Sequence, residues 1–346
     1  MADNKDILVI RNDKLGDFIL AWPALSLLKE QYPHTNVTVL IPSYTRPIAE
    51  LCPWIDRILT DDVHNNTIYD ALHLAKKLRK INFDASISLF SETRTSLALR
   101  LARIPRRYGP ATKLAQLFLN RKLRQKRSLS LKPEYEYNVD LVRHFISSNG
   151  DSPVELPPPP YLRFDQQKIG ALRQSYTEEQ NIEADRKLVF IHAGSGGSAI
   201  NLSLQQYAEL AVLIDEANTV HFVLTAGPEE LGIASELSSL MSNIEHSVYH
   251  STEGLVNFSK FISTCDLFIS GSTGPLHIAG ALDVDTVAFY PARRSATPLR
   301  WQTINQQQKR IYFSPERYTG QNDMQTIDIA DCADKINQHL AAIGTR

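Results

Sequence analysis

Apolar and polar positions along this chain fall into blocks that predict strands and helices by turns. Residues 7–10 are a continuous apolar run, as a strand buried on both faces requires. A polar loop, residues 11–17, separates it from a helix whose apolar face is Ile19, Leu20, Pro23, Ala24, Leu27 and Leu28. Val37, Val39 and Ile41 alternate in a second strand at 36–42, and a short helix and a strand at 55–59 follow. Residues 84–90 form a further strand closing in Ser91, Glu92, Thr93 and Arg94. Strands alternating with helices predict an α/β fold with a parallel sheet, which takes its ligands at the carboxyl ends of the strands.

The second half repeats the alternation. Strands are predicted at 187–192, 220–225, 267–269 and 284–290, and helices at 166–180, 204–217 and 255–264. Between the halves, residues 152–160 hold five prolines, a stiff extended segment. The expected domains are therefore 1–155 and 156–346, with the last helix a candidate to pack back on the N-terminal domain. Two such halves, joined by a hinge, predict a cleft between two sets of strand ends as the site.

Length and composition narrow the class. At 346 residues with a formal net charge of −1, the chain favours two cores and carries no overall electrostatic message. Cys52, Cys265 and Cys332 lack zinc or redox spacing, which fits a reduced cytoplasmic setting. No signal-peptide pattern opens the chain, and no apolar run approaches the roughly 20 residues that span a bilayer. The local exception in charge is residues 94–127, where eleven lysines and arginines interleave with leucines and no acid occurs. A solvated helix face with a mobile basic loop explains such a run. An anionic partner, either a phosphorylated acceptor or an acidic membrane surface, explains it better; nucleic acid is disfavoured for want of a recognition motif.

The chemistry concentrates at predicted strand ends. Ser270 to Gly274 is a turn of small residues leading into a helix opened by Pro275, which aims unpaired N–H groups at one spot suited to phosphate. Ser272 and Thr273 add hydroxyls, and His277 falls in the helix's first turn. A second small-residue loop holds Gly194, Ser195, Gly196 and Ser198. Neither loop is a Walker loop or a full dinucleotide fingerprint, but together they favour a diphosphate ligand such as a nucleotide-sugar. Glu229 suits ribose hydroxyls or, equally, a helix N-terminus. In the first half, Asp17, with Asp13 nearby, suits either a base that deprotonates an acceptor hydroxyl or a helix cap.

Read together, several stretches resemble glycosyltransferase family 9, which includes the ADP-heptose:lipopolysaccharide heptosyltransferases. They are residues 7–17 with Pro23, Ala24 and Leu25; Tyr108, Gly109 and Pro110; Glu136, Tyr137 and Asn138; residues 192–195; residues 227–229; and above all residues 272–279. The likeness covers nearly the whole chain in order. It implies a GT-B architecture of two Rossmann-like domains and an inverting transfer that needs no metal and no cofactor beyond a nucleotide-sugar co-substrate, ADP-heptose. It implies that Asp17 is the catalytic base, that Thr273, Gly274, Pro275 and His277 hold the donor diphosphate, and that Glu229 meets its ribose. Lys14, Arg94, Arg103, Arg106 and Arg107 then fall in the acceptor-binding domain, facing an anionic lipopolysaccharide-core or related surface glycan. The protein would work in the cytoplasm, peripherally on the inner-membrane surface.

Two positions depart from the family pattern. Where heptosyltransferases carry a basic residue ahead of a Trp-Pro pair, this chain has Ala199, Ile200, Asn201, Leu202 and Ser203. Arg293 or Arg294, from the next strand end, are the candidates to supply the missing charge. Ser272 stands where those enzymes have an aspartate that contacts the heptose, which leaves the donor sugar open. A non-catalytic nucleotide-sugar-binding or scaffold protein is the alternative. A dehydrogenase is disfavoured because residues 11–17 lack the glycine triplet.

Overall fold

The computed structural model describes residues 5–63, 67–196, 200–317, 320 and 323–344. They form two compact units, Met1–Tyr161 and Leu162–Arg346. The division falls just after the proline-rich segment, six positions beyond the boundary expected at residue 155.

The first unit runs β1 (Asp6–Ile10), α1 (Leu15–Ile19), α2 (Trp22–Gln31), β2 (Asn36–Ile41), α3 (Arg46–Ala49), β3 (Arg57–Thr60) and α4 (Ile68–Arg79). It continues with β4 (Ala85–Ser88), α5 (Thr93–Leu101), β5 (Arg106–Pro110), β6 (Arg121–Leu123) and α6 (Glu134–Ser148). All six strands pair in parallel in the order β3-β2-β1-β4-β5-β6. The chain winds one way from β1 to β3 and the other way from β4 to β6. Right-handed crossovers therefore place α4 and α5 on one face and α2 and α6 on the other. This double cover is why Ile7, Leu8, Val9 and Ile10 are all buried. On the α4 side, Leu8, Ile10 and Leu40 pack on Ala71, Leu74, Ala75 and Leu78, which recur at i, i+3, i+4 and i+7. A reciprocal capping box between Thr67 and Asp70 starts that helix.

The helix expected after residue 17 is two helices. Pro23 lies in the first turn of α2 and has no N–H to donate back to α1, so α1 stops and the backbone restarts from Ala21. The basic stretch begins in α5 and is ordered well beyond it. It contains β5, a 3-10 turn (Leu114–Phe118) and β6. A strand reading Arg-Arg-Tyr-Gly-Pro shows neither alternation nor an apolar run, and only its pairing with β4 and β6 makes it a strand.

The second unit comprises α7 (Gln166–Glu179), β7 (Lys187–His192), α8 (Leu204–Asp215), β8 (Val220–Ala226), α9 (Leu231–Leu240), β9 (His246–His250) and α10 (Leu255–Ile262). Then follow β10 (Leu267–Gly271), α11 (Gly274–Ala281), β11 (Asp285–Phe289), α12 (Pro298–Trp301), β12 (Arg310–Phe313) and α13 (Ile329–Ala342). Its parallel sheet has the order β12-β11-β10-β7-β8-β9. Cys332, Ala333, Ile336 and Leu340 of α13 belong to the second core, and the helix packs on α8. No helix among the described residues is long and apolar enough to cross a membrane.

Candidate active site

In each sheet the winding direction reverses beside the first strand, between β1 and β4 and between β7 and β10. Where the flanking connections leave to opposite faces, a crevice opens at the carboxyl edge.

In the first unit that edge is organised by Arg11, the residue after β1, whose side chain is almost wholly buried. Its Nε donates to Asp13 Oδ1 at 2.9 Å and its Nη2 to Asp17 Oδ1 at 2.5 Å. Nη1 reaches Glu134 Oε1 at 3.1 Å, Asn138 Oδ1 at 3.2 Å and the Leu89 carbonyl at 3.2 Å. Arg127 adds a second cation on Glu134 at 2.7 Å. Asp17 lies in the first turn of α1, but its carboxylate turns to Arg11, and the N-cap, Lys14, makes no side-chain cap bond. Asp17 Oδ2 accepts no hydrogen bond among the described residues, and the side chain keeps 15% of its surface in solvent. Burial raises the Asp17 carboxyl above its ordinary value, opposed by Arg11 and reinforced by Glu134. Burial likewise lifts Asp13 to about 7 against the pull of Arg11. The result is a pinned carboxylate with one oxygen open, the arrangement a general base needs.

Four of the expected acceptor residues lie elsewhere or are engaged. Arg94 is buried and forks onto Asp61 at 2.6 and 3.3 Å, with Glu92 at 3.3 Å. Arg106 and Arg107 begin β5, and Arg103 precedes it, so all three lie at the amino edge of the sheet, opposite Asp17. Arg106 donates to Asn149 at 2.7 Å and Arg107 to the Phe118 carbonyl at 2.8 Å. Lys14 alone of the five is exposed beside Asp17.

In the second unit the loops after β11, β10, β7 and β8 stand side by side along one edge, in that order. The two small-residue loops are thus neighbours, as expected of a diphosphate site. Ser270 Oγ donates to the His192 carbonyl at 2.9 Å and meets Thr273 Oγ1 at 3.0 Å, which ties the two loops together. Thr273 is the N-cap of α11 but makes no side-chain cap bond, and Pro275 stands in the first turn. The first-turn N–H groups are therefore left without a side-chain cap. Asn201 braces its own loop, with Nδ2 donating to the Ala193 carbonyl at 2.9 Å and the Gly194 carbonyl at 3.3 Å, while its Oδ1 packs against Gly271 at the end of β10. A Cβ on Gly271 would lie 1.5 Å from Asn201 Oδ1, so any side chain there displaces the Asn201 carboxamide.

Among the described residues, the buried polar atoms without a hydrogen-bond partner include Asn201 Oδ1, His277 Nδ1 and Arg293 Nε near this edge. Buried polar atoms are normally paired, so orphans gathered at one strand edge mark a place for a ligand. Burial lowers His277 to about 4, keeping the ring neutral. Arg293 is half-buried and Arg294 exposed. Gly274 and Ser272 are partly open at the mouth, and Ser195 and Gly196 lie on the neighbouring loop. Ser198 falls outside the described residues.

Glu229 is exposed, and it is Glu230 that turns inward. Its carboxylate accepts from the backbone N–H groups of Gly196 at 3.1 Å and Gly227 at 3.0 Å, with His192 Nε2 at 3.5 Å. A Cβ on Gly194 would come within 2.3 Å of that carboxyl group. An acid of this chain thus sits on one amide donor of the glycine loop and on one of the loop after β8. Sequence reasoning missed Arg11, Glu134 and Glu230. The first two are 123 positions apart, and no local pattern pairs them.

Two doubly wound sheets of this kind constitute the GT-B fold of glycosyltransferases. The family model of glycosyltransferase family 9 (heptosyltransferase) matches residues 71–327, and the chain belongs to that family. It is 44% identical over 309 residues to a candidate glycosyltransferase of Haemophilus influenzae, covering 89% of each chain. It is 24% identical over 307 residues to lipopolysaccharide heptosyltransferase 2 of Escherichia coli, covering 84% of each. Among solved structures, the E. coli ADP-heptose lipopolysaccharide heptosyltransferase II superposes with a TM-score of 0.73 at 19% identity, over 97% of this chain and 99% of that one. A family 9 glycosyltransferase of Veillonella parvula gives 0.76 at 17% identity, over 99% of both. The protein is a glycosyltransferase.

Proposed function

We propose that this glycosyltransferase moves a heptose, with inversion and without a metal, from ADP-heptose to a lipopolysaccharide-core or related surface-glycan acceptor. The reading places it in the cytoplasm, peripherally on the inner-membrane surface. The observation that carries it is the Asp17 carboxylate, held through Oδ1 by Arg11 while Oδ2 remains open. In the proposed step Asp17 Oδ2 takes the proton of an acceptor hydroxyl. The acceptor oxygen forms a bond to the donor's anomeric carbon, the bond from that carbon to the diphosphate oxygen breaks, and a nucleoside diphosphate leaves.

The second unit's part is to hold that leaving group. The uncapped first turn of α11, with Thr273 and Gly274, and the Arg293 guanidinium supply donors for the diphosphate. Arg293 thereby offers the positive charge that the loop at 199–203 lacks. Glu230, turned inward on the neighbouring loop, supports the contact with ribose better than Glu229 does. The heptosyltransferase relatives support the sugar, and Ser272 in place of the family's aspartate makes the heptose the part of the reading most in need of test.

The decisive measurement is transfer from ADP-heptose to a heptose-deficient lipopolysaccharide core by Asp17→Asn protein. The expected result is normal folding and normal donor binding with turnover reduced by orders of magnitude. Turnover near the wild-type rate would remove Asp17 from the mechanism. No turnover by the wild-type protein, with binding of a different nucleotide-sugar, would replace the donor.

A further inference from the structure

β12 runs parallel to β11, so the chain leaves it at the carboxyl edge of the second sheet and then forms a 3-10 turn, Asp323–Thr326. This turn is tied to two neighbours. Asp323 Oδ2 accepts from the Ala292 N–H at 3.1 Å, in the loop after β11. The Met324 carbonyl accepts from Gln206 Nε2 at 2.9 Å, in the first turn of α8. α8 follows β7, and β7 and β11 flank β10 in the sheet. The turn therefore straddles the end of β10, where Ser272 and the start of α11 stand. Met324 fixes it there, with a side chain in the second core beside Phe289 and Phe313.

Asp323 exposes none of its surface, yet its Oδ1 has no hydrogen-bond partner among the described residues. Leaving half of a buried carboxylate unsatisfied is costly, because the open oxygen has lost its water and gained nothing. The structural work of the turn needs no charge: Ala292 asks for one oxygen, which an amide supplies as well, and Met324 fills the core. Arg293, next along the loop that Asp323 holds, also has a buried and unpartnered atom, Nε. An acceptor and a donor left open at one strand end suit a hydroxyl, which gives one hydrogen bond and takes another.

The order of loops along the edge identifies that hydroxyl. A nucleotide-sugar is linear, from base to ribose to diphosphate to sugar. With Glu230 after β8 nearest the ribose and α11 after β10 holding the diphosphate, the ligand crosses β7 and advances toward β11, at about 4.8 Å per strand. The next loop in that direction carries Ala292 and Arg293. We infer that Asp323, with Arg293 beside it, forms the donor-sugar subsite, Asp323 Oδ1 accepting from a sugar hydroxyl. The charge sets the class of sugar: a carboxylate selects a neutral polyhydroxylated ring and repels a uronate or a phosphorylated one. The inference rests on the donor placement proposed above and adds the group that reads the sugar.

The test compares the affinities of ADP-heptose and ADP for the full chain by titration calorimetry. Contacts to the sugar appear as the excess of the first affinity over the second. Asp323→Asn keeps an oxygen for the Ala292 N–H, so thermal midpoint and ADP affinity should hold while the excess falls about tenfold or more. Asp323→Ala should lose the excess too, with a lower midpoint because Ala292 loses its acceptor. An excess unchanged in Asp323→Asn overturns the inference and leaves the heptose reading standing. Equal loss of ADP and ADP-heptose affinity also overturns it, since that marks a residue that only holds the loop. Other nucleotide-sugars, each measured against its own nucleoside diphosphate, separate the subsite from the choice of donor. An excess for a different neutral sugar, abolished in Asp323→Asn, replaces the heptose and keeps the subsite. An excess for a uronate donor, or for no sugar at all, overturns the subsite.

Discussion

Arg11 Nη2 stands 2.5 Å from Asp17 Oδ1, and the same guanidinium holds Asp13 and Glu134. One cation therefore orients three carboxylates through a rigid fork, a task for which lysine's single ammonium is no substitute. Arg11 is a positioning residue acting through Asp17. Arg11→Lys should lower kcat by about tenfold to a hundredfold with little change in the donor KM, since a carboxylate displaced by an ångström is a poor base. Because Arg11 pulls the Asp17 carboxyl down, its loss should also move the acid limb of the pH–rate profile upward. A role in folding alone would lower the active fraction and leave that limb in place. Arg11→Ala should further destabilise the protein by about 3–5 kcal/mol, because buried carboxylates lose their partner.

Asp13 predicts a pH-dependent stability of definite sign. Burial, with Asp17 and Glu134 adding to it, lifts its carboxyl from 3.8 to about 7 against Arg11. The folded protein thus favours the protonated form. The resulting contribution is fully present below the ordinary carboxylate value and is lost as pH rises through about 7. The difference in denaturant midpoint between wild type and Asp13→Asn should change steadily between those limits, with the variant gaining most at the alkaline end. A difference independent of pH would contradict this.

Gly271 and Asn201 should behave as a coupled pair. In Gly271→Ala the new methyl meets Asn201 Oδ1, so the carboxamide must swing away from the Ala193 and Gly194 carbonyls. We expect a loss of about 1–3 kcal/mol of stability and weaker donor binding. Adding Asn201→Ala should cost less than the sum of the two single changes, which a double-mutant cycle measures.

Arg94 and Lys14 should separate structure from binding. Arg94→Ala leaves Asp61 buried without its partner and should lower stability by about 3–5 kcal/mol, seen as a lower thermal midpoint. Lys14→Ala removes an exposed cation beside Asp17; it should raise the acceptor KM several-fold while the midpoint stays put. The reverse pattern would return Arg94 to the acceptor site.

Much of this was legible in order along the chain. Residues 7–10 announced a doubly covered strand because an unbroken apolar run has no other stable place in a soluble fold. The turn from Ser270 to Gly274 before Pro275 announced a helix N-terminus, because proline and small residues favour a helix start. What stayed hidden were elements whose character comes from neighbours. β5 is a strand through its partners, and Arg103, Arg106 and Arg107 lie at the far edge because a parallel strand starts with them. Arg94 looked like a free cation until Asp61 appeared within 2.6 Å.

Local composition determined the apolar strands such as β1, β7 and β10, where the chain turns, and that a proline opens α11 after a turn of small residues, since these depend on residues a few positions apart. Tertiary structure alone decided that Arg11 holds Asp17 with Glu134, that Glu230 rather than Glu229 turns inward, and which arginines remain free. Those pairings join residues distant in sequence, and a side chain's charge becomes chemistry only when the fold fixes what stands against it.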